Sequence, residues 1–241
     1  MTRSSQTVKM ARSTCAVASR VVVFAISLTV TVIVAALAID SRIQLFTIHA
    51  TNMTSTLTRP LAAEFDIRFI PFVITMLSSF CLAPQIFLEA ETAVWWRWAD
   101  WSVTVPIMMA LISALSGVRD AWLVAAQAFL ALATILTGIF MDAAAPPVSW
   151  IAFVSGNVTM LFSWTVIFWH LAQSEAPDFV YAVVGSQFLM FSSYPLVAFL
   201  DGWYRWERET AEQVYAWLGA ATKSLLAFVL VFGVRAYADA D

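Results

Sequence analysis

Charge is what this sequence has least of. Of its 241 residues only 12% are Asp, Glu, Lys or Arg, about half of the roughly 25% usual in a soluble domain. So few charges cannot keep a globular surface in water, which excludes an ordinary soluble fold. The net charge is −3 and there is no run of Lys and Arg, so no nucleic-acid surface is expected. Cysteine is nearly absent. Cys15 lies in the N-terminal tail and Cys81 inside an apolar run, which gives neither a disulfide framework nor metal-ligand spacing. The two histidines, His49 and His170, are far apart, so no metal site is expected. No enzymatic activity is expected.

What is there is hydrocarbon. Hydrophobic residues make up 61% of the chain and the mean hydropathy is +0.80. A membrane-spanning helix needs about 20 mostly apolar residues, and seven such runs follow one another: 20–39, 69–88, 94–116, 121–141, 149–171, 179–200 and 213–234. The expected fold is therefore an all-α bundle of seven transmembrane helices. Residues 1–19 read as a basic tail, 20–234 as the membrane domain and 235–241 as a C-terminal tail. A cleaved signal peptide is the alternative for the first run, but that run exceeds the roughly 7–15 apolar residues of a signal core. The longest connection is 40–68. Its alternating "RIQLFTI" and β-branched "TSTLT" predict a short β-hairpin.

Arg3, Lys9, Arg12 and Arg20 precede or open the first span, with no acid among them. The positive-inside rule then places the N-terminus in the cytoplasm and the C-terminus outside. Asn52 in "NMT" would be an external glycosylation acceptor, whereas Asn157 in "NVT" lies within a span.

Three ionisable residues sit deep in the spans: Arg97, Asp100 and Lys223. Each costs about 2.5–3.5 kcal/mol or more at a helix centre, so such residues face the bundle interior and mark function. Arg97, Asp100 and Thr104 follow i, i+3, i+7 spacing and share one helix face. Lys223 is the sole lysine outside the tail, and Gly219, Ala220 and Ala227 leave room beside it. The plain reading is an Asp–Lys or Asp–Arg pair that locks helix packing. Against it stands a surplus of aromatics, 11 Trp among them. Trp101, Phe188, Phe191 and Tyr194 would form an apolar slot with one amine at its end, which suits a polyene aldehyde. A lysine amine condenses with a carbonyl to a Schiff base. Once protonated, that buried cation needs an anion, which Asp100 supplies.

At these residues the sequence resembles the microbial rhodopsins: "RWADWSVTVP" their third helix, "SSYP" their sixth and "TKSLLAF" their retinal-bearing seventh. More specifically it is similar to the heliorhodopsins. "RWADWS…PIMMALISALSGVRD", "ILTGIFMD", "APDFVYAVVGSQFLMFSS" and "ERETAEQVYAWLGAATKSLLAF" match their pattern in order, over most of 95–234. The resemblance implies that Lys223 holds retinal, expected all-trans, that Asp100 is the Schiff-base counterion and that Arg97 is the third-helix arginine. It implies that Trp101, Val105, Met108, Thr134, Phe188, Phe191 and Tyr194 contact the polyene. It also implies a cytoplasmic N-terminus and a homodimer built in part on the 40–68 ribbon. The chain departs from the heliorhodopsin pattern in three ways. Asp100 stands where Glu is usual, Pro106 and Tyr194-Pro195 look like ordinary pumps, and the first two spans have no histidine.

Two functions compete. One is a photoreceptor that signals to a partner without net transport; the other is a light-driven or light-gated ion transporter. Outward pumps use a second aspartate one turn before the lysine and a carboxylate about three turns past the counterion. Here those positions hold Gly219 and Leu111. The photoreceptor reading is the one the residues favour. A membrane protein without retinal is the third.

Overall fold

The computed structural model describes residues 3–39, 69–204 and 206–238. They form seven helices: α1 (Arg3–Ile39), α2 (Phe69–Gln85), α3 (Ala90–Leu115), α4 (Ala121–Ala143), α5 (Val148–Gln173), α6 (Asp178–Tyr204) and α7 (Arg208–Ala238). No strand occurs among the described residues. The expected hairpin falls in 40–68, outside them. Helices are the natural outcome for apolar runs, because within lipid each backbone N–H and C=O must be satisfied inside its own segment. Six of the helices are long and apolar enough to cross a membrane, and α2 is a shorter apolar helix.

The bundle is ordered inside out relative to a soluble domain. Phe129 and Phe80 are about 70% exposed, whereas Asp100 and Lys223 are 5% and 3% exposed. Over residues 14–36 of α1, where side chains are described, the buried ones are Ala16, Arg20, Val23, Ser27, Val30, Thr31 and Val34. That is one stripe at three- and four-residue spacing. Each helix packs on its chain neighbours, α5 against α6 least of all. Helix α7 closes the ring between α6 and α1 and also touches α2 and α3, from which Lys223 takes its partners Ser78 and Asp100.

Helix ends follow local chemistry. Asp120 caps α4 by accepting from the Trp122 N–H at 2.9 Å. After α3 the Gly117 N–H bonds to Ala114 O and the Val118 N–H to Ser113 O. This closure needs a left-handed residue, and Gly117 has φ +90°.

Several helices reach further than hydropathy indicates, α1 and α7 most of all at their N-terminal ends. The basic tail continues α1 back to Arg3, and α7 begins at Arg208 rather than 213. Apolar runs mark the hydrocarbon core, but a helix continues past it wherever its polar turns are stable. In α7 those turns hold Arg208 and Glu212, an i, i+4 ion pair, and Glu209 in the first turn. This extension brings Glu212 into the bundle.

Candidate functional site

Helix α3 carries the site on one face. Arg97, Asp100, Trp101 and Thr104 are all at most 7% exposed. Asp100 Oδ2 pairs with Lys223 Nζ from α7. Ser78 on α2 joins them: its Oγ accepts from Lys223 Nζ at 3.0 Å and donates to Asp100 Oδ2 at 3.3 Å. Thr104 donates to the Asp100 carbonyl at 2.8 Å and lies 3.3 Å from Oδ1. A buried carboxylate, a buried ammonium and two hydroxyls thus form a closed polar set from three helices. Inside a low-dielectric bundle such a set is favourable only while complete.

Arg97 points the other way, although it sits one turn from Asp100. Side chains tilt toward the N-terminus of their own helix, so a long one at this position reaches the N-terminal end of α3. There its Nη2 bonds to Asp142 Oδ2 on α4 at 2.7 Å, and its Nε lies 3.3 Å from Glu212 Oε2 on α7. Trp98 Nε1 donates to the same Asp142 oxygen at 3.1 Å. Arg208 lies 3.6 Å from Asp142 and 3.8 Å from Glu212. The guanidinium is also packed against the rings of Trp98, Trp101 and Tyr215, at 4.6, 5.1 and 4.3 Å from their centroids. Arg20 of α1 closes this end by donating to the carbonyls of Gln85, the last residue of α2, and of Leu88 beyond it.

Between α3, α4, α5 and α6 lies a cavity of about 130 Å³, bounded by Trp101, Val105, Thr134, Trp164, Phe191 and Tyr194 among others. By this measure one water needs roughly 10–15 Å³, so the space takes a much larger guest. Its polar side chains are engaged elsewhere: Thr134 donates to Leu130 O and Asn157 to Phe153 O, while Ser163 bonds to Gln127 and Tyr194 to Thr222. The wall presented inward is therefore hydrocarbon and ring. Trp101 and Tyr194 meet edge to face, 4.8 Å apart. They also flank Gly219, where an added Cβ would lie 3.6 Å from Trp101 Nε1 and 3.8 Å from Tyr194 Oη. The slot thus begins one helical turn from Lys223. A long apolar molecule with an aldehyde at one end fits these residues.

The structure places the residues singled out in the sequence as follows. Lys223, Asp100 and Thr104 meet, and Arg97 stands apart with Asp142 and Glu212. Trp101, Val105, Thr134, Phe191 and Tyr194 line the cavity. Met108 does not line it: the side chain is fully buried in the core, and the next residue, Met109, takes the wall position. Phe188 stands behind the wall, edge to face with Trp164 at 5.4 Å. Sequence reasoning missed Ser78, Asp142, Glu212 and Tyr215. Glu212, 5% exposed, and Arg20, 7% exposed, join the three deep ionisable residues expected. The usable signal was Glu212 at i+4 from Arg208 and i−3 from Tyr215, which places it on the inward face of an extended helix. Among the described residues no cluster of His, Cys, Asp and Glu could hold a metal.

Comparison with known proteins gives a consistent picture. No curated protein matches the chain. Solved structures do, and strongly in shape. A cyanorhodopsin from the cyanobacterium Tolypothrix sp. NIES-4075 aligns with TM-score 0.73 at 17% identity, covering 92% of this chain and 97% of that one. A light-driven proton pump from Leptosphaeria maculans aligns with TM-score 0.73 at 15% identity, covering 94% and 96%. The thermophilic rhodopsin from Rubrobacter xylanophilus aligns with TM-score 0.73 at 15% identity, covering 93% and 98%. At these identities the likeness shows the fold. The heliorhodopsin family model matches residues 7–234. The chain is an integral, multi-pass membrane protein of the microbial rhodopsin fold, and it belongs to the heliorhodopsin family.

Proposed function

We propose that this protein is a photoreceptor that binds retinal, all-trans in the dark, through Lys223. The observation that carries the proposal is the buried Lys223–Asp100–Ser78 set one turn from the mouth of an aromatic slot. The chemistry such a group supplies when bound through Lys223 is absorption of light followed by rotation about one double bond. The rest belongs to the chain. Asp100 carries the negative charge that a cationic nitrogen on Lys223 requires. Ser78 holds both groups in register, and Thr104 fixes the carboxylate on α3. Trp101, Phe191 and Tyr194 would restrict a guest to one axis and so hold the Lys223 nitrogen against Asp100. That contact is a charge-assisted hydrogen bond and among the strongest in the bundle. Its weakening is the primary event the protein turns into movement.

The family and fold accommodate both a photoreceptor and a pump. The distribution of carboxylates favours signalling. A pump needs acceptors and donors on both sides of the nitrogen. Here Asp142 and Glu212 lie on the Arg97 side, while Met108, Leu111 and Ile112, all buried, fill α3 on the other. The transport alternative draws on the same two acids, which give a proton somewhere to go on one side. The reading includes a cytoplasmic N-terminus, which puts the Arg97 cluster on the cytoplasmic half. It also includes a second copy of the chain as partner within the lipid bilayer, a further signalling partner and no catalytic activity. Cells expressing the chain with all-trans retinal should gain a visible absorption band. Their illuminated suspensions should show no sustained, protonophore-sensitive change in external pH. A robust change of that kind would overturn the signalling reading, and a light-evoked current that reverses with voltage would assign a channel.

A further inference from the structure

Two side-chain hydrogen bonds from α6 converge on one residue of α7, Thr222, which directly precedes Lys223. Gln187, fully buried, donates from Nε2 to the Thr222 backbone carbonyl at 3.1 Å. Tyr194, two turns further along the same face of α6, donates to Thr222 Oγ1 at 3.2 Å. Thr222 Oγ1 in turn donates to Leu218 O at 2.7 Å, so the hydroxyl is fixed from both sides.

The Gln187 bond matters most because of where the carbonyl sits. The C=O of Thr222 and the N–H of Lys223 belong to one peptide unit, which is planar. Holding its oxygen therefore fixes the plane from which the Lys223 Cα departs. Packing alone gives no reason for an amide here. Val183, Val184 and Phe191 around this face of α6 are apolar and buried. Gln187 Oε1 is itself buried without a partner among the described residues, a cost that a leucine would avoid. Pro195 follows Tyr194 directly and has no N–H, so the Phe191 carbonyl lacks its helical donor. The two bonds to Thr222 thus lie on the stretch of α6 that walls the cavity and ends at its weakest turn.

We propose that Gln187 is a positioning residue that acts on Lys223 through the Thr222 carbonyl, with Tyr194 as the second point of the grip. Displacement at Lys223 tilts this peptide unit and reaches α6 at Gln187. Conversely, the grip sets how far the lysine can relax before the dark state returns. The inference rests on the reading of Lys223 as the attachment site.

The test is a light-minus-dark infrared difference spectrum of the retinal-loaded protein labelled with carbonyl-13C threonine. The parent should show a labelled carbonyl band that disappears in Thr222→Ser, which removes the label from that position. In Gln187→Leu the band should move to higher wavenumber, as a carbonyl does when it loses a donor. Dark recovery should change by about 3- to 10-fold, the size expected for one hydrogen bond. A purely structural bond would shift the band but leave dark recovery unchanged, and that result would overturn the inference. A coloured parent with no Thr222-dependent band overturns the inference without any need for Gln187→Leu to fold. The same band and recovery in Gln187→Leu as in the parent overturn it equally. A parent that takes up no retinal overturns the proposed function, and the inference with it.

Discussion

Before any chromophore is attached, Asp100→Leu leaves the Lys223 ammonium buried with only Ser78 for company. Both members of the pair are at most 5% exposed, so solvent does little to soften the loss. Breaking a buried pair from one side costs about 3–5 kcal/mol. In a domain of roughly this size each kcal/mol shifts Tm by about 2–4 °C, so Asp100→Leu should lower it by roughly 6–20 °C. Lys223→Met should cost less, because Asp100 then keeps the hydroxyls of Ser78 and Thr104. The double variant is the decisive one. Replacing a buried ion pair with apolar side chains of similar volume is often neutral, or stabilising by about 1–4 kcal/mol. Asp100→Leu with Lys223→Met should therefore melt well above Asp100→Leu alone. Thermal unfolding in nanodiscs, followed by tryptophan fluorescence, measures all four proteins. Losses that simply add in the double variant would refute the claim that these two groups depend on each other.

In the retinal-loaded protein the charge on Asp100 should set the colour, because Asp100 is the carboxylate in contact with Lys223 among the described residues. Asp100→Asn should lie red of the parent at neutral pH, or absorb in the near-ultraviolet. A variant that keeps the parent's spectrum would contradict the assignment. Gly219→Asp should fold, since its Cβ meets Trp101 and Tyr194 at ordinary contact distance. It should shift the band blue by adding a second anion, and an unmoved band would count against the placement of Gly219. A tag at residue 1 should be reachable by antibody only after cells are permeabilised and a tag after Asp241 in intact cells. The opposite pattern would reverse the proposed orientation.

The membrane bundle was legible because hydrophobic length is a coarse signal that survives local detail. Six of the seven runs match helices long enough to span, and the seventh is the shorter α2. Arg97, Asp100 and Lys223 stood out because charge in hydrocarbon is expensive wherever it points. Ser78 gave no such signal: a serine in an apolar helix is ordinary, and only the fold shows which of Ser78 and Ser79 meets Lys223. In the structure Ser79 turns to Ser27 on α1 instead. Asp142, Glu212 and Arg20 looked like loop and tail charges because they lie where hydropathy falls. Helices that run beyond the apolar core then carry those charges inward. Met108 against Met109 is a matter of helix phase. A one-residue step rotates a side chain by about 100°, finer than spacing arguments resolve.

The central claim is that Lys223 is where the chromophore attaches. The direct measurement is the absorption spectrum of the parent and of Lys223→Ala, each purified after expression with all-trans retinal. The parent should show a visible band that light and hydroxylamine bleach, and Lys223→Ala should be colourless while still inserted in the membrane. A normal visible band in Lys223→Ala would contradict the account at its root.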